Sequence, residues 1–398
     1  MASKAPTLHQ SFGEGRPHRP ASLSTIIVFV IVIAVPGIGL ALGLDRARVS
    51  ESEMRELATW PTWSWARDDL AAWPGRFEQY FEDHFTLRNR LIDWRASFLW
   101  NRLRTSGSDT AIAGKDGWLF YAADGGIDDW TQADPFTHDE LDAWRETLAK
   151  RRGFLARRGI PFLFVIAPDK QMIYPEYMPD SLRRLREDYR ADQLIAYLHD
   201  TMPDFEVLDL RPALLEAKKA SGGELLYHRY DSHWNDRGGL IGYQTIIHAV
   251  TRRLPPELPS VAPLERHDFD ADPKVPSGDR VAMLGLTDER KQTMPGLALR
   301  RGVGYRVVEP IVPDPYGEEG LIITKHDNRH LPTLVMYRDS FAGRLIPYLS
   351  EHFGRATYLW QNEFDFDEIE RDHPNIVVQE FVARHFFAYA PSPEIIPD

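Results

Sequence analysis

Ile160-Pro161-Phe162-Leu163-Phe164-Val165-Ile166-Ala167 restricts what this chain can fold into more than any other stretch, because it is apolar throughout. A strand with one wet face alternates apolar and polar residues, whereas an unbroken apolar strand is buried on both faces, as in parallel sheets covered by helices. Helical patterns flank it. Thr137 and Glu140 form a capping-box pattern ahead of Leu141, Trp144, Leu148 and Leu155, and Gly159 ends that run. A second helix is expected over about 181 to 201, then a strand Phe205-Glu206-Val207-Leu208-Asp209-Leu210 and a short helix to Ala220. The rhythm resumes with a strand from Leu334, a helix from Phe341 to Phe353 and the strand Ala356-Thr357-Tyr358-Leu359-Trp360. A short helix around Asp367 and the strand Asn375-Ile376-Val377-Val378-Gln379 complete it. Alternating helix and strand predicts an α/β fold built on a doubly wound parallel sheet.

The rest of the chain is arranged around this platform. Residues 1–20 form a polar tail, and residues 21–44 carry no charge until Asp45. About 24 residues at 1.5 Å each reach roughly 36 Å, enough to cross a hydrocarbon core of about 30 Å. A transmembrane anchor is preferred to a cleaved signal peptide, whose apolar region is usually about 7 to 15 residues. Lys and Arg lie on both sides of the segment (Arg16 and Arg19 before it, Arg46, Arg48 and Arg55 after it), so charge does not orient it. Residues 45–110 read as a Trp-rich, mostly helical linker broken at Pro61 and Pro74, with Phe77, Phe81, Phe85 and Leu87 at roughly helical spacing. Asp116-Gly117 is a turn signal between Ile112 and Tyr121, which predicts a hairpin opening the main domain over 111–398. Residues from about 255 to 330 break the alternation and read as a small β-rich insertion, with strand-like pieces at Val281-Ala282-Met283-Leu284 and Gly304-Tyr305-Arg306-Val307-Val308.

Composition narrows the chemistry. With a net charge of -12 and no basic stripe, the 398-residue chain is not expected to bind nucleic acid. The absence of Cys removes disulfides, thiolate metal sites and a thiol nucleophile together. In Tyr230-Asp231-Ser232-His233-Trp234-Asn235 the Asp lies two residues before the His, so a carboxylate can orient an imidazole and stabilise its charged form. Asn235 can cap a helix with Leu240, Tyr243, Ile247, Val250 and Leu254 on one face, placing His233 on a rigid mount. Ser340 follows an apolar strand directly, at the carboxyl end of a sheet where α/β folds bind ligands, and is the candidate nucleophile. A following helix would aim free N–H groups at the same place.

Competing readings stay open at this point. Asp339 or Ser340 could serve only as an N-cap, and His233 could be a satisfied core residue beside a capping Asp231. His228, Asp231 and His233, with His326 and His330, are metal-ligand types, but they match no metal signature, so no metal or cofactor is assigned. Lys170, Tyr174, Arg338 and Arg384 are candidate substrate contacts; for Lys170 the alternative is simple solvation, and for Arg384 an ion pair with a core carboxylate.

Six motifs occur in one order: Phe81-Glu82-Asp83-His84-Phe85-Thr86-Leu87-Arg88, Gly114-Lys115-Asp116-Gly117-Trp118-Leu119-Phe120-Tyr121, Tyr174-Pro175-Glu176, Asp231-Ser232-His233-Trp234-Asn235, Gly278-Asp279 and Asp339-Ser340-Phe341. In this the chain resembles the AlgJ/AlgX-like SGNH-hydrolase-like family, in its membrane-anchored AlgJ type. The resemblance implies a permuted motif order, with the Asp and His at Asp231 and His233 preceding the nucleophile Ser340. It implies a single-pass inner-membrane protein whose periplasmic domain O-acetylates an exported polysaccharide such as alginate, with a membrane-bound O-acyltransferase as acetyl source. Arg338 departs from the family by replacing the Gly common before Asp-Ser. A polysaccharide acetylesterase using the same triad and a non-catalytic scaffold or polysaccharide-binding subunit are the alternatives.

Overall fold

The protein was analysed as a computed structural model that describes residues 23–42, 49–50, 55–63, 65, 67–85, 88–99, 102, 110–277, 292–311 and 320–391. The tail 1–20, Gly278-Asp279 and Val281-Ala282-Met283-Leu284 lie outside the described residues. Two units divide the chain, Met1–Leu91 and Ile92–Asp398.

The first unit holds the helix Leu23–Ala41, among the described residues the one helix long and apolar enough to cross a membrane. Two short strands follow, β1 (Val49–Ser50) paired with β2 (Arg55–Glu56). The helix Arg67–His84 then runs through Pro74, which was expected to break it. The helix forgoes only the bond that the missing N–H cannot make, while Trp73, Phe77, Phe81 and Phe85 pack ring on ring along one side, at 5.2, 6.5 and 6.3 Å.

In the second unit β3 (Ala111–Ala113) and β4 (Leu119–Tyr121) form the expected hairpin. The main sheet follows from the buried runs. Its strands are β5 (Phe162–Ala167), β6 (Val207–Asp209), β9 (Tyr305–Ile311), β10 (Leu321–His326), β11 (Thr333–Arg338), β12 (Arg355–Trp360) and β13 (Ile376–Val382). Among the described residues they stand in the order β6-β5-β13-β11-β12-β10-β9. The first five are mutually parallel, and β10 and β9 extend the edge antiparallel. The strands Tyr305–Ile311 and Leu321–His326, both inside the stretch expected to be an insertion, therefore belong to the main sheet. Of the same region, β7 (Phe269–Ser277) and β8 (Gln292–Leu299) form a separate antiparallel pair.

Period-two geometry explains why the strands are apolar throughout. Leu163, Val165, Leu334 and Met336 enter one core with Leu240, Tyr243 and Ile247 of the helix Asp236–Thr251. Their neighbours Phe164 and Ile166 meet Trp144 and Leu148 of the helix His138–Arg157, and Val335 and Tyr337 meet Phe154 and Leu155 of that same helix. Helices cover both faces, so every residue of β5 and β11 after the first is buried. The capping box at Thr137 and Glu140 forms as its spacing predicts. The next helix starts later than expected, at Arg190, because Asp192 accepts the N–H of Tyr189 at 2.9 Å and ends the helix there.

Candidate active site

Three parallel neighbours, β5, β13 and β11, end side by side, and the residues that follow them build the site. After β11 come Asp339 and Ser340. The Asp339 carboxylate accepts the N–H of Phe341 at 2.8 Å through Oδ1 and that of Val382 at 2.7 Å through Oδ2, tying the end of β11 to β13. The cap is thus Asp339, which leaves the Ser340 hydroxyl outside that role. The single helix expected from Phe341 to Phe353 is instead a chain of short turns, Ser340–Arg344, Ile346–Leu349 and Ser350–His352. Pro347 stands in the first positions of the middle turn, where its missing N–H is tolerated and a new turn can begin. A long helix dipole at Ser340 is lost with the single helix.

Arg338 is the last residue of β11 and has no positive φ, so glycine is not required at this turn. Its guanidinium is buried over the Trp360 ring at 4.4 Å. Glu380 on β13 accepts the N–H of Asp339 at 3.2 Å. Burial first, then the Asp339 carboxylate, raise its pKa well above the usual 4.5, and burial followed by Asp169 does the same to Asp129. A raised carboxyl pKa means that the folded state holds protons the unfolded state has lost. That stability is complete below the ordinary pKa and falls as pH rises through the raised values. Denaturant titrations in steps above pH 5 are expected to show falling stability. The slope should flatten in Glu380→Gln with Asp129→Asn, and an equal slope in that double variant would refute the assignment.

The Asp-Ser-His stretch forms a hairpin. Tyr227 pairs with Trp234, the N–H of His228 donates to the His233 carbonyl at 3.2 Å, and the N–H of Asn235 donates to Leu226 at 2.9 Å. Asn235 caps the next helix as expected, accepting from Arg237 and Gly238. Gly238 permits this approach, since a Cβ there would lie 2.2 Å from the Leu226 carbonyl oxygen. At the hairpin tip, Asp231 Oδ1 accepts from His233 Nδ1 at 2.8 Å and from the His233 N–H at 3.0 Å. A carboxylate only accepts, so Nδ1 carries the proton and Nε2 is the basic nitrogen. Burial works to raise the Asp231 pKa, but the hydrogen bond and charge of His233 outweigh it and hold it well below the ordinary value. The hairpin docks on the Ser340 turn through Trp234, fully buried, whose Nε1 donates to the Phe341 carbonyl at 3.0 Å. The His233 ring lies 5.1 Å from that of Phe341, the residue after Ser340.

Two expected substrate contacts turn out to be supports for this hairpin. Lys170 is buried beneath it, and its ammonium donates to the carbonyls of His228, Arg229 and Asp231 at 3.0, 3.3 and 2.7 Å. Tyr174 is buried too, its hydroxyl accepting from Leu226 N–H at 2.9 Å and its ring 4.8 Å from Trp118. Arg384 pairs with Asp169 in the interior, which is the carboxylate alternative. Asp169 is assigned no role from the sequence, although it is the first charge after an apolar strand. His326 ends β10, and its neighbour Lys325 pairs with Arg355, where β12 begins, so it lies at the opposite end of the sheet from Ser340. Lys170→Met is expected to cut turnover by about 10²-fold, because the hairpin shifts. KM for a small ester should stay near the parent value; a change confined to KM would return Lys170 to substrate binding.

With this arrangement in view, comparison with known proteins decides the family. The family model for the SGNH hydrolase-like domain of acetyltransferase AlgX matches residues 111–309, half of the chain. The chain belongs to this family. Among solved structures, Bacillus cereus PatB1 is 16% identical, with 68% of this chain and 95% of that chain covered and a TM-score of 0.50. The O-acetyltransferase domain of Pseudomonas putida AlgJ is 17% identical, over 70% of this chain and 93% of that one, with a TM-score of 0.46. Pseudomonas aeruginosa AlgX is 16% identical over 75% and 66%, with a TM-score of 0.45. At these identities the likeness concerns the fold. No curated protein sequence matches the chain. In this SGNH hydrolase-like fold Ser340 stands where open α/β sheets hold ligands, beyond the carboxyl end of a parallel strand.

Proposed function

We propose that the protein is a polysaccharide O-acetyltransferase that works through an acetyl-Ser340 intermediate. The observation that carries this reading is the Asp231–His233 hydrogen bond of 2.8 Å on a hairpin packed against the Ser340 turn. His233 Nε2 takes the Ser340 proton as Oγ attacks the acetyl carbonyl of the donor. As the carbon–oxygen bond to the donor breaks, the imidazolium returns that proton to the leaving oxygen. A polysaccharide hydroxyl then gives its proton to His233 and attacks acetyl-Ser340, forming the new ester and restoring the serine. Asp231 holds the tautomer and stabilises the imidazolium throughout.

The helix Leu23–Ala41 anchors the chain in the inner membrane, with the catalytic unit in the periplasm and a membrane-bound O-acyltransferase supplying acetyl groups. Tethering raises the effective concentration of enzyme near such a donor. The direct test is to incubate the full-length chain in detergent with a chromogenic acetyl ester, quench in acid and map acetylated peptides. Acetyl on the Ser340 peptide, chased onto an added oligosaccharide, is the expected result. Turnover without acetyl on Ser340 would refute the intermediate, and chase to free acetate alone would make the protein an esterase.

A further inference from the structure

A cavity of about 720 Å³ opens beside the catalytic hairpin, walled by Gly114–Gly117 on one side and Pro179 and Asp180 on the other. Its walls are rigid. Gly114 donates to Trp118 at 2.8 Å and Trp118 to Lys115 at 3.0 Å, and the buried Trp118 ring stacks 4.3 Å from Tyr177. A Cβ on Gly114 would lie 2.5 Å from the Tyr177 carbonyl oxygen, so the two walls are in contact beneath the opening. The Lys115 ammonium reaches across to Asp180 at 2.6 Å.

The same wall is bonded to the hairpin. Arg229 donates to the Asp116 carbonyl, and its own carbonyl accepts from Leu119 N–H at 2.9 Å. Arg229 is two residues from Asp231, at most about 7 Å along the chain. The cavity wall is therefore tied to the hairpin that carries Asp231 and His233. The lining is mixed, with Ala113 and Pro179 giving it an apolar face but no long apolar side chain to hold a lipid or long acyl donor. It offers carboxylates, an ammonium and turn amides, the groups that bind hydroxyls, in a volume ordinary for a ligand site.

Charge selects among saccharides. The lining carries one cation, Lys115, against two carboxylates, Asp116 and Asp180, so the mouth has no surplus cation to hold a polyanion. A uronate here would set its carboxylate beside Asp116, in a chain already at net charge -12. We propose that this cavity binds an uncharged stretch of the acceptor polysaccharide next to the residue that is acetylated. This rests on the acyl-transfer reading of Ser340 for its purpose, and on the cavity alone for its binding.

The experiment separates the two. Full-length Ser340→Ala protein in detergent is titrated calorimetrically with neutral gluco-, manno- and galacto-oligosaccharides and with an oligouronate. At least one neutral oligosaccharide is expected to bind ten-fold or more tightly than the uronate. Asp116→Asn and Asp180→Asn, added singly, are expected to weaken that binding about ten-fold, since each removes a charged hydrogen-bond acceptor. Asn suits Asp116, whose φ of 51° it tolerates. Binding of none of the neutral sugars, tighter binding of the uronate, or equal binding by both Asn variants overturns the proposal. Ester turnover by the parent chain, measured separately, judges the acyl-transfer reading, so a failure of either is seen as its own.

Discussion

Ser340→Ala is expected to lower acetyl transfer from a chromogenic ester to an oligosaccharide by at least about 10³-fold, with the fold intact. His233→Ala should match it, because nucleophile and base act as one unit and their losses do not add. Asp231→Asn is the more informative change. It keeps the shape of the tip but presents an amide where Oδ1 now accepts from His233 Nδ1 at 2.8 Å and from the His233 N–H at 3.0 Å. The imidazole then loses its reason to carry the proton on Nδ1, and a loss of about 10⁴-fold in kcat is expected. Near-parent rates in all three variants, with unchanged melting, would leave a binding or scaffolding subunit as the better description.

Arg384→Met is expected to destabilise the folded chain by about 3 to 5 kcal/mol, the usual cost of leaving a buried charge without its partner. Asp169 would lose the guanidinium while still accepting the Arg384 N–H at 2.7 Å, with the Asp129 carboxyl close by in the same interior. Asp169→Ala with Arg384→Met should recover part of that loss, since the uncompensated carboxylate is gone. Chemical denaturation of the full-length chain, of Arg384→Met and Asp169→Ala singly, and of the double variant measures this. Strictly additive losses would show that the pair is not coupled. A side effect on activity is also expected, because Arg384 stacks 5.3 Å from Phe341, the residue after Ser340.

Much of the platform was readable from residue order. Unbroken apolar runs at Phe162–Ala167 and Leu334–Tyr337 announced strands buried on both faces, and burial on both faces requires helices on both sides. The capping box at Thr137, the Asn235 cap and the Asp231–His233 hydrogen bond were equally legible, since each joins residues two or three apart whose geometry is local. The candidate nucleophile could be picked out for a similar reason, as the first hydroxyl beyond a buried strand.

What only the tertiary structure decided involves partners far apart in the chain. Lys170 and Arg384 looked like groups aimed at a ligand because a charge following a strand usually meets solvent. The fold closes over them, so Lys170 finds three carbonyls about 60 residues away and Arg384 finds Asp169, with |i−j| of 215. Tyr305–Ile311 reads as part of a Pro-rich insertion, yet it joins the sheet edge because β10 offers an open row of backbone partners. Pro347 was visible as a residue, but the division into short turns around it was not, since an apolar helical spacing concealed it. Patterning thus determined which segments are buried and where the reactive groups sit along the chain. Packing decided which charges were taken out of water, and with that, which of them hold the site together and which remain for substrate.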